Sequence, residues 1–270
     1  MTGTLAQLIA LTAFGNDYLR NGNIPVDFDS VNSSFQFCNK VDFRERIPEG
    51  LTQHDRVVAE YPSKWFQYLK TSGCKHLRLY FQFSDDQSLA KDHQLAGMIG
   101  GGGDWLIEAV HPGYSDYWLA DWNVTGDRNV SRSIWSVNYR LAGHNLQTSN
   151  IQFDIQKTKE KLRQTLTDIS VFAFRNKLDT WGQQFDTAKK ILDDSSPQAR
   201  YHRDIIPPAN YSLTARQILF AADAAWVFGG MGSWNDLFMG SKEENDQYNE
   251  LSARLYSDIN ESFVGGINTF

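Results

Sequence analysis

The run WLADWNVTGDRNVSRSIWSVNYRL, residues 118–141, carries the clearest structural signal in the chain. Apolar residues alternate with polar ones in both arms, which contain Trp118 and Trp122, and Trp135 and Tyr139. Alternation with period two predicts β-strands that each bury one face. The central TGDRNVSR contains Gly, Asp and Asn, residues that favour turns. We therefore predict an antiparallel hairpin and build the sheet of the fold around it.

The aromatic face of this hairpin has two interpretations. Exposed Trp and Tyr rings stack a sugar ring or a base, whereas covered rings form the core of a sheet. The opposite face is polar, with Asp121, Asn123, Asn138 and Arg140. One apolar and one polar face is typical of an antiparallel sheet covered on one side. We therefore favour the core interpretation.

Other elements precede the hairpin. CKHLRLYFQF (74–83) and DWLIEAVHP (104–112) predict strands, and LAQLIALTAF (5–14) predicts a first core element. YPSKWFQYLKTSG (61–73) predicts a helix with Pro62 in its first turn and Gly73 at its end.

Helical spacing replaces period two near residue 150. Apolar residues recur every three or four positions through 155–192, and a change of phase at 178–182 predicts two helices or a kink. Two later helices are indicated by capping boxes, which are Thr214 with Gln217 and Ser241 with Glu244.

This order of elements predicts an α+β fold. Residues 1–150 form a mainly antiparallel β-rich part with one short helix. Residues 151–270 form an α-helical part packed on it. The sequence leaves open whether the two parts are one continuous domain or separate lobes.

Composition and charge narrow the classes of partner. The chain has 270 residues, of which 41% are hydrophobic and 21% charged, as is ordinary for a globular protein. A formal net charge of −6 and the lack of a Lys/Arg cluster argue against a nucleic-acid partner. The apolar run at 5–14 is shorter than the roughly 20 residues that span a bilayer. We expect a soluble, cytoplasmic protein with neither a nucleic-acid nor a membrane partner.

The cysteines and histidines show no spacing typical of metal ligands. Cys38 and Cys74 are expected to be reduced thiols, and sequence leaves open whether they lie close together. We expect no metal and no cofactor.

The most unusual stretch is AADAAWVFGGMGSWND, residues 221–236. Asp223 lies in an otherwise apolar helix, so its carboxylate needs a partner or a raised pKa. Arg216, two turns earlier, is the expected neighbour. The alternatives for Asp223 are a structural ion pair and a general acid/base or ligand anchor, and we favour the structural one.

The end of the same stretch also has two interpretations. Gly229 or Gly230 is expected to end the helix at positive φ, and Ser233 to begin a short helix. A tight turn that presents Trp, an amide and an acid is alternatively a ligand site. The candidate ligand-binding residues are Asp223, Trp234, Asn235 and Asp236.

Two further groups are weaker candidates. GMIGGGGDW (97–105) lacks the G-K-[ST] ending of a phosphate loop and precedes a strand, so we predict a hinge or a hairpin tip. Glu108, His111 and Asp116 surround a strand end, where they form either an acid/base group or ordinary surface polarity. We favour surface polarity.

The sequence supports two functional hypotheses. The first is a non-enzymatic protein-interaction protein, of adaptor or toxin-neutralising type, with a protein partner and with homo-oligomerisation left open. The alternative is a small-molecule hydrolase or ligand-binding protein that uses the acid and Trp residues of 223–236, with a histidine from the β-rich part. The sequence leaves open whether the protein is an enzyme.

Overall fold

The computed structural model describes residues 1–49, 52–88, 90–98, 101–127 and 130–270. Its six strands are β1 (Cys38–Glu49), β2 (Thr52–Ala59), β3 (His76–Gln82), β4 (Asp104–His111), β5 (Tyr114–Val124) and β6 (Trp135–Leu146). Its eight helices within these ranges are α1 (Gly3–Asn21), α2 (Phe28–Val31), α3 (Pro62–Thr71), α4 (Asp92–Leu95), α5 (Ile155–Arg175), α6 (Asp179–Ile191), α7 (Leu213–Ala224) and α8 (Lys242–Ile267).

The strands form one mixed sheet in the order β2–β1–β6–β5–β4–β3. All pairs are antiparallel except β1–β6, which is parallel. The predicted hairpin is confirmed as β5–β6, in which Trp118 lies opposite Leu141 and Trp122 opposite Val137. The α+β class is therefore confirmed, with the sheet in the N-terminal half and helices in the C-terminal half.

The expectation of one short helix in the β-rich part is wrong, because the 19-residue α1 precedes the sheet. Its residues from Leu5 to Asp17 are all buried. A helix covered on every side has no apolar stripe for periodicity to reveal. The amide of Asn16 bonds both the N–H and the C=O of Leu77, which fixes α1 on β3.

The predicted break in the first C-terminal helix is confirmed by separate helices α5 and α6. Lys177, between them, has φ 59°, which ends a continuous helix. The capping box of Ser241 and Glu244 is confirmed at the start of α8. The box predicted for Thr214 and Gln217 is wrong, because Ser212 begins α7 and accepts from the N–H of Ala215 at 3.1 Å.

Trp118 and Tyr139 lie in the core and are at most 1% exposed. Helices pack on this face, and the side chain of Asn268 bonds both the N–H and the C=O of Leu79. Cys38 and Cys74 are both free thiols. None of the described helices is both long enough and apolar enough to cross a membrane. The boundary near residue 150 stays a prediction.

Candidate functional site

Helix α7 ends earlier than the glycines of residues 221–236 suggest. Its last residue is Ala224, and Ala225 caps it in the right-handed conformation. Gly232, rather than Gly229 or Gly230, has positive φ in this stretch. The expectation of a glycine helix end is therefore wrong.

Long-range packing explains why the chain leaves the helix at this point. The indole N–H of Trp226 donates to the carbonyl of Phe228 at 2.7 Å, a contact incompatible with continued helix. The rings of Trp226 and Phe228 both pack against Tyr256 of α8, with centroids 5.9 and 5.0 Å away. Contacts to a distant helix therefore decide where α7 stops.

Asp223 is buried, and both of its carboxylate oxygens accept hydrogen bonds. One carboxylate oxygen accepts from the amino group of Met1 at 3.1 Å, and the other accepts from the backbone N–H of Arg200 at 3.1 Å. The expected neighbour, Arg216, makes neither contact, and its Nε has no hydrogen-bond partner in the described chain. Asp223 thus ties α7 to the start of α1 and to the 192–212 connection.

Trp234 faces inward. It is completely buried, and its indole N–H donates to Ser252 Oγ at 2.7 Å. Its ring meets those of Trp181 and Phe185 edge-on, with centroids 5.8 and 5.2 Å away. Tyr248 donates its hydroxyl to the Trp234 carbonyl. The indole is therefore part of the helical core.

The remaining two candidate residues, Asn235 and Asp236, form hydrogen bonds that hold the turn in place. Ser233 begins the predicted short helix, a single 3-10 turn over Trp234–Asp236. Asn235 donates from Nδ2 to the carbonyl of His93 at 2.9 Å, while its Oδ1 has no partner in the described chain. Asp236 is exposed and accepts from the N–H of Gly232. Residues Trp234 and Asn235 thus hold the turn from the inside.

The two glycine clusters of the sequence lie against each other. A Cβ built on Gly97 would lie 2.1 Å from the carbonyl oxygen of Gly229. The predicted hinge at 97–105 includes residues 99 and 100, which lie outside the described chain. The described part packs against the 229–236 loop, so that loop contacts the β-rich part through both Gly229 and Asn235.

Three apolar side chains, two from the loop and one beside Gly97, are exposed. Met231 is fully exposed, Phe238 is 88% exposed and Met98, next to Gly97, is 66% exposed. We call these three residues together with the exposed Asp236 the Met231 surface. Apolar side chains grouped on one loop are a candidate interaction surface.

The strand-end group divides into two. His111 and His144 both face Asp116, with N–O distances of 3.6 and 2.9 Å. Glu108 lies elsewhere, fully buried, and accepts from the N–H of Ser149 at 2.8 Å. Within the described residues, no set of three His, Cys, Asp or Glu side chains is placed to hold a metal.

Two cavities flank Tyr256, where the β-rich and helical parts meet. The first, which we call the tryptophan cavity, measures about 420 Å³, and its aromatic walls are Trp105, Trp122, Trp135, Trp226 and Tyr256. Period-two alternation placed Trp122 and Trp135 on one hairpin face, whereas no sequence signal joined the other three, because they come from distant segments. The hairpin face is therefore core at Trp118 and Tyr139 and cavity wall at its far end.

The second cavity, of about 400 Å³, is lined by Asp92 and His93 among others. Both side chains are buried, and Asp92 Oδ1 and His93 Nε2 lack hydrogen-bond partners in the described chain. Burial lowers the pKa of His93, against the opposing effect of Asp92. The imidazole is therefore neutral near pH 7.

Comparisons with protein-family models, with curated proteins and with solved structures each found no match. A function for this chain therefore has to be inferred from the geometry of its own residues.

Proposed function

We propose that this protein acts by binding another protein through the Met231 surface, as an adaptor or a toxin-neutralising protein. The observation that carries the proposal is the difference in solvent exposure between side chains of one loop. Trp234 is completely buried, whereas Met231 and Phe238 on either side of it are exposed almost fully.

The bracing of the loop favours binding. The inner side of the loop is held by contacts with Ser252, His93 and Gly97. Its outer side chains therefore project from a backbone that is already ordered. A preordered loop loses little entropy when it binds a partner. Exposed apolar side chains gain free energy when a partner covers them. A Met and a Phe held in this way fit the centre of a protein interface.

Charge indicates the kind of partner. The chain carries a formal net charge of −6, and Asp236 lies exposed within the Met231 surface. Complementary potentials steer association and select partners. We expect a basic protein with an apolar pocket.

Photocrosslinking tests the proposal. Phe238 is replaced by benzoylphenylalanine in the full chain, in cells that naturally contain the protein, and cross-linked products are identified by mass spectrometry. Val171 on α5, which is 62% exposed, is the control position. We expect one discrete basic protein to be captured at 238 and not at 171. Equal capture at both positions, or none at 238, contradicts the proposal, and capture of a second copy alone would replace the partner by a homo-oligomer.

The alternative, a hydrolase or ligand-binding protein using residues 223–236, stays a prediction. It requires the helical part to meet a histidine of the β-rich part, and Asn235 meets His93 through the backbone carbonyl of that residue rather than its imidazole. Asp223 and Trp234 have structural partners, which leaves Asn235 Oδ1 as the unpaired group of the set within the described chain. The absence of a cofactor and the cytoplasmic location likewise stay predictions.

A further inference from the structure

The tryptophan cavity is built from rings that are held in place. Trp122 and Trp135 meet edge-on, with centroids 5.7 Å apart and an interplanar angle of 72°. Trp226 is fixed by its hydrogen bond to Phe228, and Tyr256 donates its hydroxyl to the carbonyl of Gly102. A volume of about 420 Å³ lies within the range of small-molecule sites.

The charges at this cavity are of one sign. Asp104 and Asp121 belong to its lining, which contains no Lys, Arg or His among the described residues. Neither carboxylate makes an ion pair with the described part of the chain. The nearby amino group of Met1 is already paired with Asp223. The two carboxylates disfavour an anionic ligand, and the positive dipole end of α1, whose Thr2, Gly3 and Thr4 also line the cavity, is the opposing contribution.

Indole faces attract cations through their quadrupole, and an aromatic cage is the usual way in which proteins bind quaternary ammonium groups. Carboxylates at the rim add a long-range attraction of the same sign. We propose that the tryptophan cavity binds a small organic cation, with its ammonium group against the indoles of Trp122, Trp135 and Trp226. This site shares Met98 with the Met231 surface, but the inference does not depend on the proposed protein partner.

Three probes of nearly equal shape test the charge requirement. Choline is cationic, 3,3-dimethylbutan-1-ol is its neutral isostere, and 3,3-dimethylbutanoate is an anionic analogue. Each is titrated into the full-length protein by calorimetry and by tryptophan fluorescence. We expect choline to bind saturably and about tenfold more tightly than the neutral isostere, with no binding of the anion.

Substitutions in the lining test whether choline binds in this cavity. Trp226→Leu is expected to weaken choline binding about tenfold, and Asp121→Asn about threefold with a smaller dependence on salt. Trp181→Leu and Asp85→Asn, which lie outside the cavity lining, are the matched controls. Because Asp121 is exposed, Asp121→Asn keeps the test valid if Trp226→Leu does not fold.

Several results would overturn the inference. These are the absence of saturable choline binding, equal affinity for choline and its neutral isostere, and tighter binding of the anion. Tighter binding of a neutral sugar such as methyl β-glucoside would assign the cavity to uncharged rings instead. Equal losses in the control variants would show that choline binds elsewhere.

Discussion

The backbone of Gly97 lies directly against that of Gly229, in a contact that leaves no room for a side chain. A Cβ at Gly97 would lie 2.1 Å from the Gly229 oxygen and 2.8 Å from its Cα. This contact joins two glycine clusters that are far apart in the sequence. It also places Met98 next to the loop that carries Met231.

The contact predicts that Gly97→Ala is costly. The neighbouring atoms belong to backbone and cannot rotate away, so we expect a loss of about 1–3 kcal/mol in the free energy of unfolding. Gly230→Ala is the control, because nothing lies within 4 Å of a Cβ there, and its change should stay within about 0.5 kcal/mol. The free energies of unfolding of both variants are measured by urea denaturation. Equal values would mean that the two loops can move apart at little cost in free energy.

Asp223→Asn should lower stability. The substitution leaves the buried amino group of Met1 without its counter-charge. Removing one partner of a buried ion pair costs about 3 kcal/mol, whereas the exposed Asp85→Asn should change little. Thermal and urea unfolding provide the measurement. Unchanged stability together with lost binding of a ligand would instead assign Asp223 to a ligand site.

Stability should fall as the solution becomes acidic. Burial is the main cause that lowers the pKa of His93, His111 and His202 below 6.5. Unfolded imidazoles take up protons below about pH 6.5 while the folded ones remain neutral, so protons favour the unfolded state. The loss begins near the unfolded pKa and continues down to the folded values.

His93→Gln tests this contribution. In urea titrations between about pH 7.5 and pH 5, the variant should show a shallower decline in unfolding free energy than wild type, by up to about 1.4 kcal/mol per pH unit. Identical slopes for the two proteins would show that His93 titrates alike in the folded and unfolded states.

Met231→Ser and Phe238→Ser should separate binding from stability. Both side chains are exposed, so the free energy of unfolding should change by less than about 0.5 kcal/mol. Binding of the partner captured at position 238 should weaken about tenfold or more in each variant. Val171→Ser is the control. Unchanged affinity measured by calorimetry would remove these side chains from the interface.

The start of α7 offers a test of local structure. Ser212→Ala should cost about 1 kcal/mol, because the Ser212 hydroxyl accepts from the N–H of Ala215. Thr214→Ala should cost less, since among the described residues the Thr214 side chain bonds only Gln156, at 3.3 Å. Urea unfolding of the two variants ranks them, and the reverse order would restore the capping box expected from the sequence.

Local features of this chain were predictable. The β5–β6 hairpin is encoded by alternation and turn residues, because a strand that buries one face needs apolar residues at every second position. The capping box of Ser241 and Glu244 depends on chemistry within four residues. The break between α5 and α6 was visible as a change of phase in the apolar pattern.

Of the four candidate site residues, sequence identified the loop but not the direction in which each side chain faces. The sequence shows only that Trp234 follows a glycine turn. Its burial results from contacts with Ser252, Phe185 and Trp181, which belong to other elements. The cavity wall likewise joins Trp122 with Trp226 and Tyr256, which lie in different halves of the chain.

The sequence alone therefore determined the α+β class, the hairpin and the helix start at Ser241, because these depend on periodicity and on hydrogen bonds between near neighbours. The tertiary structure decided the end of α7, the partner of Asp223, the contact of Gly97 with Gly229 and the tryptophan cavity. Each of these depends on groups brought together by folding, and no local pattern specifies which distant group a side chain will meet.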